Sequence, residues 1–178
     1  MPGKLDTMLV EVALGGDLNS FGELCSRYYA SMVAIAYSVL GDHQLAEDAA
    51  QETFARALGN LGGLKNKTKF APWLAAICRN VAKDVVTNRL RRINAEDLSE
   101  VADGSGSDDS VRVVQQAIEQ LPVPAKELVI LRYYDGLSYE EISTVLGISR
   151  AAINGRLTRA KRKIAKYLQR NGFLENRL

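Results

Sequence analysis

Apolar residues recur along this chain at intervals of three and four, and no stretch alternates at the two-residue period of a half-buried strand. The pattern predicts an all-α protein. Gly15 and Gly16 end a short helix over about Leu5 to Leu14. Ser20 with Glu23 reads as a capping box that opens a longer helix to about Leu40, where Gly41 provides a left-handed stop. Asp42 caps the next helix, to about Leu61, on which Ala46, Ala50, Phe54, Ala57 and Leu61 share one face. Pro72 suits the first turn of a third long helix, to about Ile93, with Leu74, Ile77, Val81 and Val85 as its core stripe.

The second half repeats the helical period. Val111 to Gln120 forms a helix that the sequence LPVP interrupts, and Pro124 starts another that runs to about Tyr134 and stops at Gly136. Ser138 and Glu141 make a capping box for a short helix to Leu146. Gly147, Ile148 and Ser149 then form a tight turn, with Ser149 capping a long final helix. On that helix Ile153, Leu157, Ala160, Ile164 and Leu168 fall on one inward face.

Composition adds two constraints. Of the 178 residues, 47% are apolar and 25% charged, as in an ordinary globular protein, and no run approaches the length of a membrane span. The first residues lack the basic start, apolar run and cleavage site of a secretory leader, which predicts a cytoplasmic protein. Cys25 and Cys78 have no CxxC spacing and read as reduced, buried thiols.

The net charge of +2 conceals an uneven distribution. Residues 1–94 carry +2, residues 95–110 carry −6 with no base, and residues 111–178 carry +6. The acidic stretch, AEDLSEVADGSGSDDS, has too little apolar surface to offset the entropy of ordering it. It predicts a flexible acidic linker between two small helical domains, 1–94 and 111–178.

Arg150 to Arg170 holds eight bases and no acid, the density of a surface that tracks phosphates. With the short helix and the Gly-containing turn before it, this segment has the helix-turn-helix pattern, whose second helix enters the major groove. Ser149, Arg150, Ala151, Ala152, Asn154, Gly155, Arg156, Thr158 and Arg159 lie toward the start of that helix. Small residues let the backbone approach base edges, while Asn and Arg offer bidentate contacts. Gly155 lowers helix propensity by about 1 kcal/mol, which close approach would offset. Arg162, Lys163 and Lys166 suit phosphates.

In the first half, Lys65, Asn66, Lys67 and Lys69 precede Phe70 and Trp73, followed by Arg79, Asn80, Lys83, Arg89, Arg91 and Arg92. Interleaved cations and aromatic rings suit single-stranded nucleic acid, although Trp73 taken alone fits a core position. On the preceding helix Asp48, Gln51, Glu52 and Arg56 face away from the apolar stripe, which alone describes a solvated face.

Three blocks in this order, AEDAAQETF (46–54), FAPWLAAICRNVAKD (70–84) and LPVPAKELVILRYYDGLSYEEISTVLGIS (121–149), resemble the extracytoplasmic-function sigma factors, promoter-specificity subunits of bacterial RNA polymerase. The resemblance covers roughly Phe21 to Leu168. It implies that Asp48, Gln51, Glu52 and Phe54 lie on the helix that docks on the polymerase clamp coiled coil. It also implies that the Lys65–Phe70 loop and the helix through Arg92 open and hold the minus-ten element with one base flipped out. Asn80 and Asp84 match family positions in that helix, and Arg89, Arg91 and Arg92 fit backbone contacts. By the same resemblance the helix-turn-helix reads the minus-thirty-five element, the linker threads toward the RNA exit path, and the polymerase flap and an anti-sigma factor are further partners. The family pattern Gly-Thr-Val-Lys-Ser-Arg at the recognition helix is replaced here by Ala151, Ala152, Ile153, Asn154 and Gly155 before Arg156, which removes a hydroxyl and a lysine.

The alternative is a stand-alone helix-turn-helix regulator, which would bind a palindromic duplex as a dimer. No catalytic, metal or cofactor site is expected. His43 is the single histidine, and Lys67–Thr68 resembles the end of a P-loop only until Asn66, where that loop needs glycine.

Overall fold

The structure, a computed structural model, describes residues 2–95 and 109–173, with side chains over 5–91 and 111–173. Eight α-helices and no strands occur among the described residues: α1 Pro2–Leu14, α2 Leu18–Leu40, α3 His43–Asn60, α4 Phe70–Ala95, α5 Asp109–Glu119, α6 Val123–Tyr133, α7 Tyr139–Leu146 and α8 Arg150–Arg170. Two single 3-10 turns, Leu61–Gly63 and Lys67–Lys69, join α3 to α4. α4 continues through Ala95 and α5 starts at Asp109, both within the bounds expected for the linker. Its remaining residues, 96–108, lie outside the described residues.

Local chemistry sets most of the boundaries. Gly41 ends α2 at φ 66°, and the Asp42 carboxylate then accepts from the Leu45 amide to start α3. Ser138 and Glu141 make the expected reciprocal capping box, and Ser149 accepts from the Ala152 amide at 3.2 Å. The start of α2 differs from expectation. Asp17, not Ser20, is the cap, and its carboxylate accepts from the Asn19 and Ser20 amides at 3.3 and 3.0 Å. Gly16, at φ 98°, ends α1 so abruptly that the next polar residue takes the capping role. Ser20 becomes a donor to Asp17, and Glu23 instead pairs with Arg27 at 2.9 Å.

The first module is α1 to α4 around α2, which packs on the other three. Along α4 the expected stripe is rotated. Leu74 and Val81 are buried, but Ile77 and Val85 are only partly so, and Phe70, Ala71, Ala75, Cys78 and Ala82 complete the buried face. The reason is close packing: α2 and α3 present Ala34, Ala36, Ala46, Ala49, Ala50 and Ala57, and small residues opposite them bring the helix axes together. Asp6 of α1 is buried, and its carboxylate takes hydrogen bonds from Arg27 and Tyr28 of α2, fastening α1 to the bundle. Burial and this bond raise the Tyr28 hydroxyl pKa above its ordinary value.

The second module wraps α5, α6 and α7 around α8. Leu128, Leu131, Ile142, Val145, Ile153, Leu157 and Ala160 form its core, so the predicted inward face of the final helix is inward, with Ile164 and Leu168 half-buried at its far end. The modules touch. α6 lies on α2 and α7 on α4, and Gly147, at φ 67°, sits so near the start of α4 that a Cβ there would lie 3.1 Å from Pro72 Cγ.

Candidate nucleic-acid interface

Four surfaces carry the chemistry that the sequence singled out. The first is the outer face of α3. Its inner face, Ala46, Ala50, Phe54 and Ala57, is buried, which turns Asp48, Gln51 and Glu52 into solvent. Phe54 belongs to the inner set: it is 8% exposed and stacks on Tyr29 at a ring separation of 6.4 Å. It positions the helix and is not itself presented. Arg56, outside the predicted set, bridges Glu52 at 2.8 Å and Asp84 of α4 at 3.0 Å, so Asp84 is tied across to α3.

The second surface is the loop before α4 and the first turns of that helix. Asn66 accepts from the Thr68 amide at 3.0 Å and its hydroxyl at 2.7 Å, which curls the loop into a turn leading straight into the helix. The turn displays Lys65, Asn66 and Lys69 to solvent. Lys67 is half-buried and reaches back to Glu11 of α1 at 3.2 Å. Phe70 does not join this display. It is 1% exposed and packs between Tyr28 and Trp73, at ring separations of 5.8 and 5.9 Å.

Trp73 is half-buried and lines an open pocket of about 570 Å³ shared with Arg56, Asn60, Gly62, Gly63 and Asn80. Asn60 and the two glycines were not singled out from sequence, and Arg56 was placed only on the outward face of α3. The signal was present in the run GNLGG, whose glycines leave a wall without side chains beside the aromatic ring. Lys83, Arg89 and Arg91 are exposed farther along α4, and the Arg92 side chain lies outside the described residues.

The third surface is α8. Arg150, Ala151, Asn154, Gly155, Arg156, Thr158, Arg159, Arg162, Lys163 and Lys166 are all exposed, and Ala152 is half-buried. The Thr158 hydroxyl donates to the Asn154 carbonyl at 2.9 Å, which occupies its proton within the helix. The turn before the helix is braced by Ser143, whose hydroxyl donates to the Ile148 carbonyl at 2.7 Å. The result is a rigid, basic rod with acid-free sides and small residues at its leading end.

The fourth is the seam between the modules. Arg79 of α4 does not project freely as expected. Its guanidinium donates to Glu127 of α6, from Nη2 at 2.7 Å and Nε at 3.1 Å. Burial pushes the Glu127 carboxyl up from its ordinary value, with Arg79 and Arg156 opposing that rise. Among the described residues no cluster of His, Cys, Asp and Glu could hold a metal ion, and no helix is long and apolar enough to cross a membrane.

Comparison with known proteins assigns both halves of the chain. Residues 24–98 match the family model described as Sigma-70 region 2, and residues 112–164 match Sigma-70, region 4. The chain is 32% identical to the RNA polymerase sigma-H factor of Pseudomonas aeruginosa, over 92% of this chain and 94% of that one. It is 29% identical to the ECF RNA polymerase sigma factor SigW of Bacillus subtilis, over 86% and 91%. Among solved structures it is similar to the sigma factor RpoE from Bartonella quintana, in complex with the anti-sigma factor NepR, with a TM-score of 0.55, 25% identity and coverage of 84% and 96%. The fold also matches CnrH in complex with the cytosolic domain of CnrY, with a TM-score of 0.60, 24% identity and coverage of 93% and 97%. With both regions present in order on an all-helical frame, the chain belongs to the extracytoplasmic-function sigma factors of the sigma-70 family.

Proposed function

We propose that this sigma factor brings RNA polymerase to its promoters through a division of labour between its two modules. The exposed face of α3, with Asp48, Gln51 and Glu52, docks on the polymerase clamp. The Lys65–Lys69 turn and the first turns of α4 hold the opened minus-ten strand. The pocket beside Trp73, at about 570 Å³, accepts one unstacked base, with Asn80 at its edge for hydrogen bonding. Stacking worth about 1 to 3 kcal/mol per base offsets the few kcal/mol needed to extrude it. Arg89, Arg91 and Arg92 follow the backbone. The second module reads the minus-thirty-five duplex with α8 and meets the polymerase flap.

The observation that carries this reading is α8. Ile153, Leu157 and Ala160 are buried, every base on the opposite face is in water, and the turn before it is that of a helix-turn-helix. The protein acts by binding, with no catalytic step of its own, in the cytoplasm where the polymerase works. An anti-sigma protein is a further partner, by analogy with the Bartonella quintana relative solved with one.

Run-off transcription with core polymerase tests the proposal. Arg162→Glu with Lys166→Glu should abolish promoter use while leaving association with the polymerase intact. Asp48→Arg with Glu52→Arg should abolish that association. If the polymerase bound normally after the α3 reversals, or transcription survived the α8 reversals, the assignment would be wrong.

A further inference from the structure

The seam between the modules holds charge as well as apolar surface. Leu146 and Ile148 flank a groove of about 440 Å³ into which Arg79, Lys83, Glu127 and Arg156 also project. Glu127 is 5% exposed, and the other three are cations. The sequence pattern sets Arg79 among the residues expected at minus-ten DNA and Arg156 among those expected at minus-thirty-five DNA, and in the structure both line the groove that holds the buried Glu127 carboxylate.

Closure has a geometric consequence. A compact chain of this length is about 40 Å across by the usual scaling of size with length. The two promoter elements are named for positions about 25 base pairs apart, or about 85 Å along the duplex at the B-DNA rise. The docked arrangement therefore cannot lay α4 on one element and α8 on the other at once.

We propose that the Glu127–Arg79 pair is an internal latch: Glu127 stands in for a DNA phosphate on Arg79, holds the modules closed, and must release it before the chain can span a promoter. The proposal rests on the proposed promoter-binding function and on the nucleic-acid-facing role that the sequence pattern gives Arg79. The pair suits this task because its net contribution when intact is modest, desolvation cancelling much of the attraction, whereas removing one partner leaves the other charge uncompensated at the seam. The upward shift of the Glu127 carboxyl agrees, since the two guanidiniums do not fully repay its burial. A phosphate offers Arg79 equivalent acceptors in water, so exchange of partners is nearly balanced. The Gly147 turn, close to Pro72 at the start of α4, is a second point where the modules meet.

The test uses the full chain. Small-angle scattering reports whether the modules part, and fluorescence anisotropy with a promoter fragment carrying a single-stranded minus-ten strand reports affinity. Glu127→Arg should raise the radius of gyration. If the closed state outweighs the open one about ten to one, it should also tighten binding about tenfold. The double reversal Arg79→Glu with Glu127→Arg should restore the compact profile. Glu127→Gln, which keeps the shape and loses the charge, should open the chain in part and serves if the arginine variant loses helical signal. An unchanged profile in Glu127→Arg and Glu127→Gln, or a double reversal that stays open, would overturn the latch. Opening with no gain in affinity would keep the latch and remove Arg79 from the DNA-facing set.

Discussion

Asp6 shows how much a single side chain can organise. Buried between α1 and α2, it takes hydrogen bonds from Arg27 and Tyr28, and α1 in turn holds the basic turn through Glu11 and Lys67. Asp6→Ala leaves the buried Tyr28 hydroxyl without its acceptor and Arg27 with Glu23 alone, and should cost about 1 to 3 kcal/mol in a urea titration. It should also loosen the Lys65–Lys69 turn, read as faster amide exchange at Thr68. Asp17 is a different case, because its stabilising action depends on charge. Bonds from Ser20, side chain first and then backbone, hold its carboxyl pKa below the ordinary 3.8. A group lowered on folding contributes stability above its unfolded pKa and loses it as the pH falls through the folded one. The destabilisation caused by Asp17→Ala, measured by urea, should therefore be full at neutral pH and shrink progressively below pH 3.8. Sequence alone favoured Ser20 here because Ser20 and Glu23 fit a capping box equally well. Only the abrupt end of α1 decides between two caps three residues apart.

At the scale of elements, the turns were the most legible feature. Gly41, Ser138, Glu141, Gly147 and Ser149 act where they stand in sequence because capping is chemistry among neighbours. Gly147 also has a long-range duty, since its positive φ and its closeness to Pro72 both disfavour a side chain. Gly147→Ala should be worse than an ordinary left-handed penalty of about 1 to 2 kcal/mol. Thermal unfolding should show the loss, and scattering should show a less compact chain. The stripe on α4 was less legible for an opposite reason. Periodicity weights large side chains, so Ile77 and Val85 seemed better core residues than Ala75, Cys78 and Ala82, yet the small ones are fully buried and the large ones only partly. Glu127 was not legible at all. Within AKELVIL it has the spacing of a solvent-facing residue, and it is buried only because α6 rests against another module.

For the whole molecule, the division into two helical units followed from the charge of the chain, but their docking did not. Linker composition says that two bodies exist, and nothing in a linear pattern says that they touch. The candidate surfaces divide along the same line. The α8 face was readable because its amphipathic period and its base-rich side belong to one helix. The Trp73 pocket was not, since its wall comes from a glycine run on a different element. Between α2 and α4 lies Cys78, fully buried, whose thiol donates to the Met32 carbonyl at 3.3 Å and whose pKa is pushed up to about 11, chiefly by burial. At neutral pH about one such thiol in ten thousand is ionised, and reagents attack the ionised form. Cys25, half-buried on α2, should react with iodoacetamide first. Cys78 should be labelled only as fast as the first bundle breathes open, so mass spectrometry of alkylated peptides would give this protein a native clock for its rarest excursions, with no probe attached.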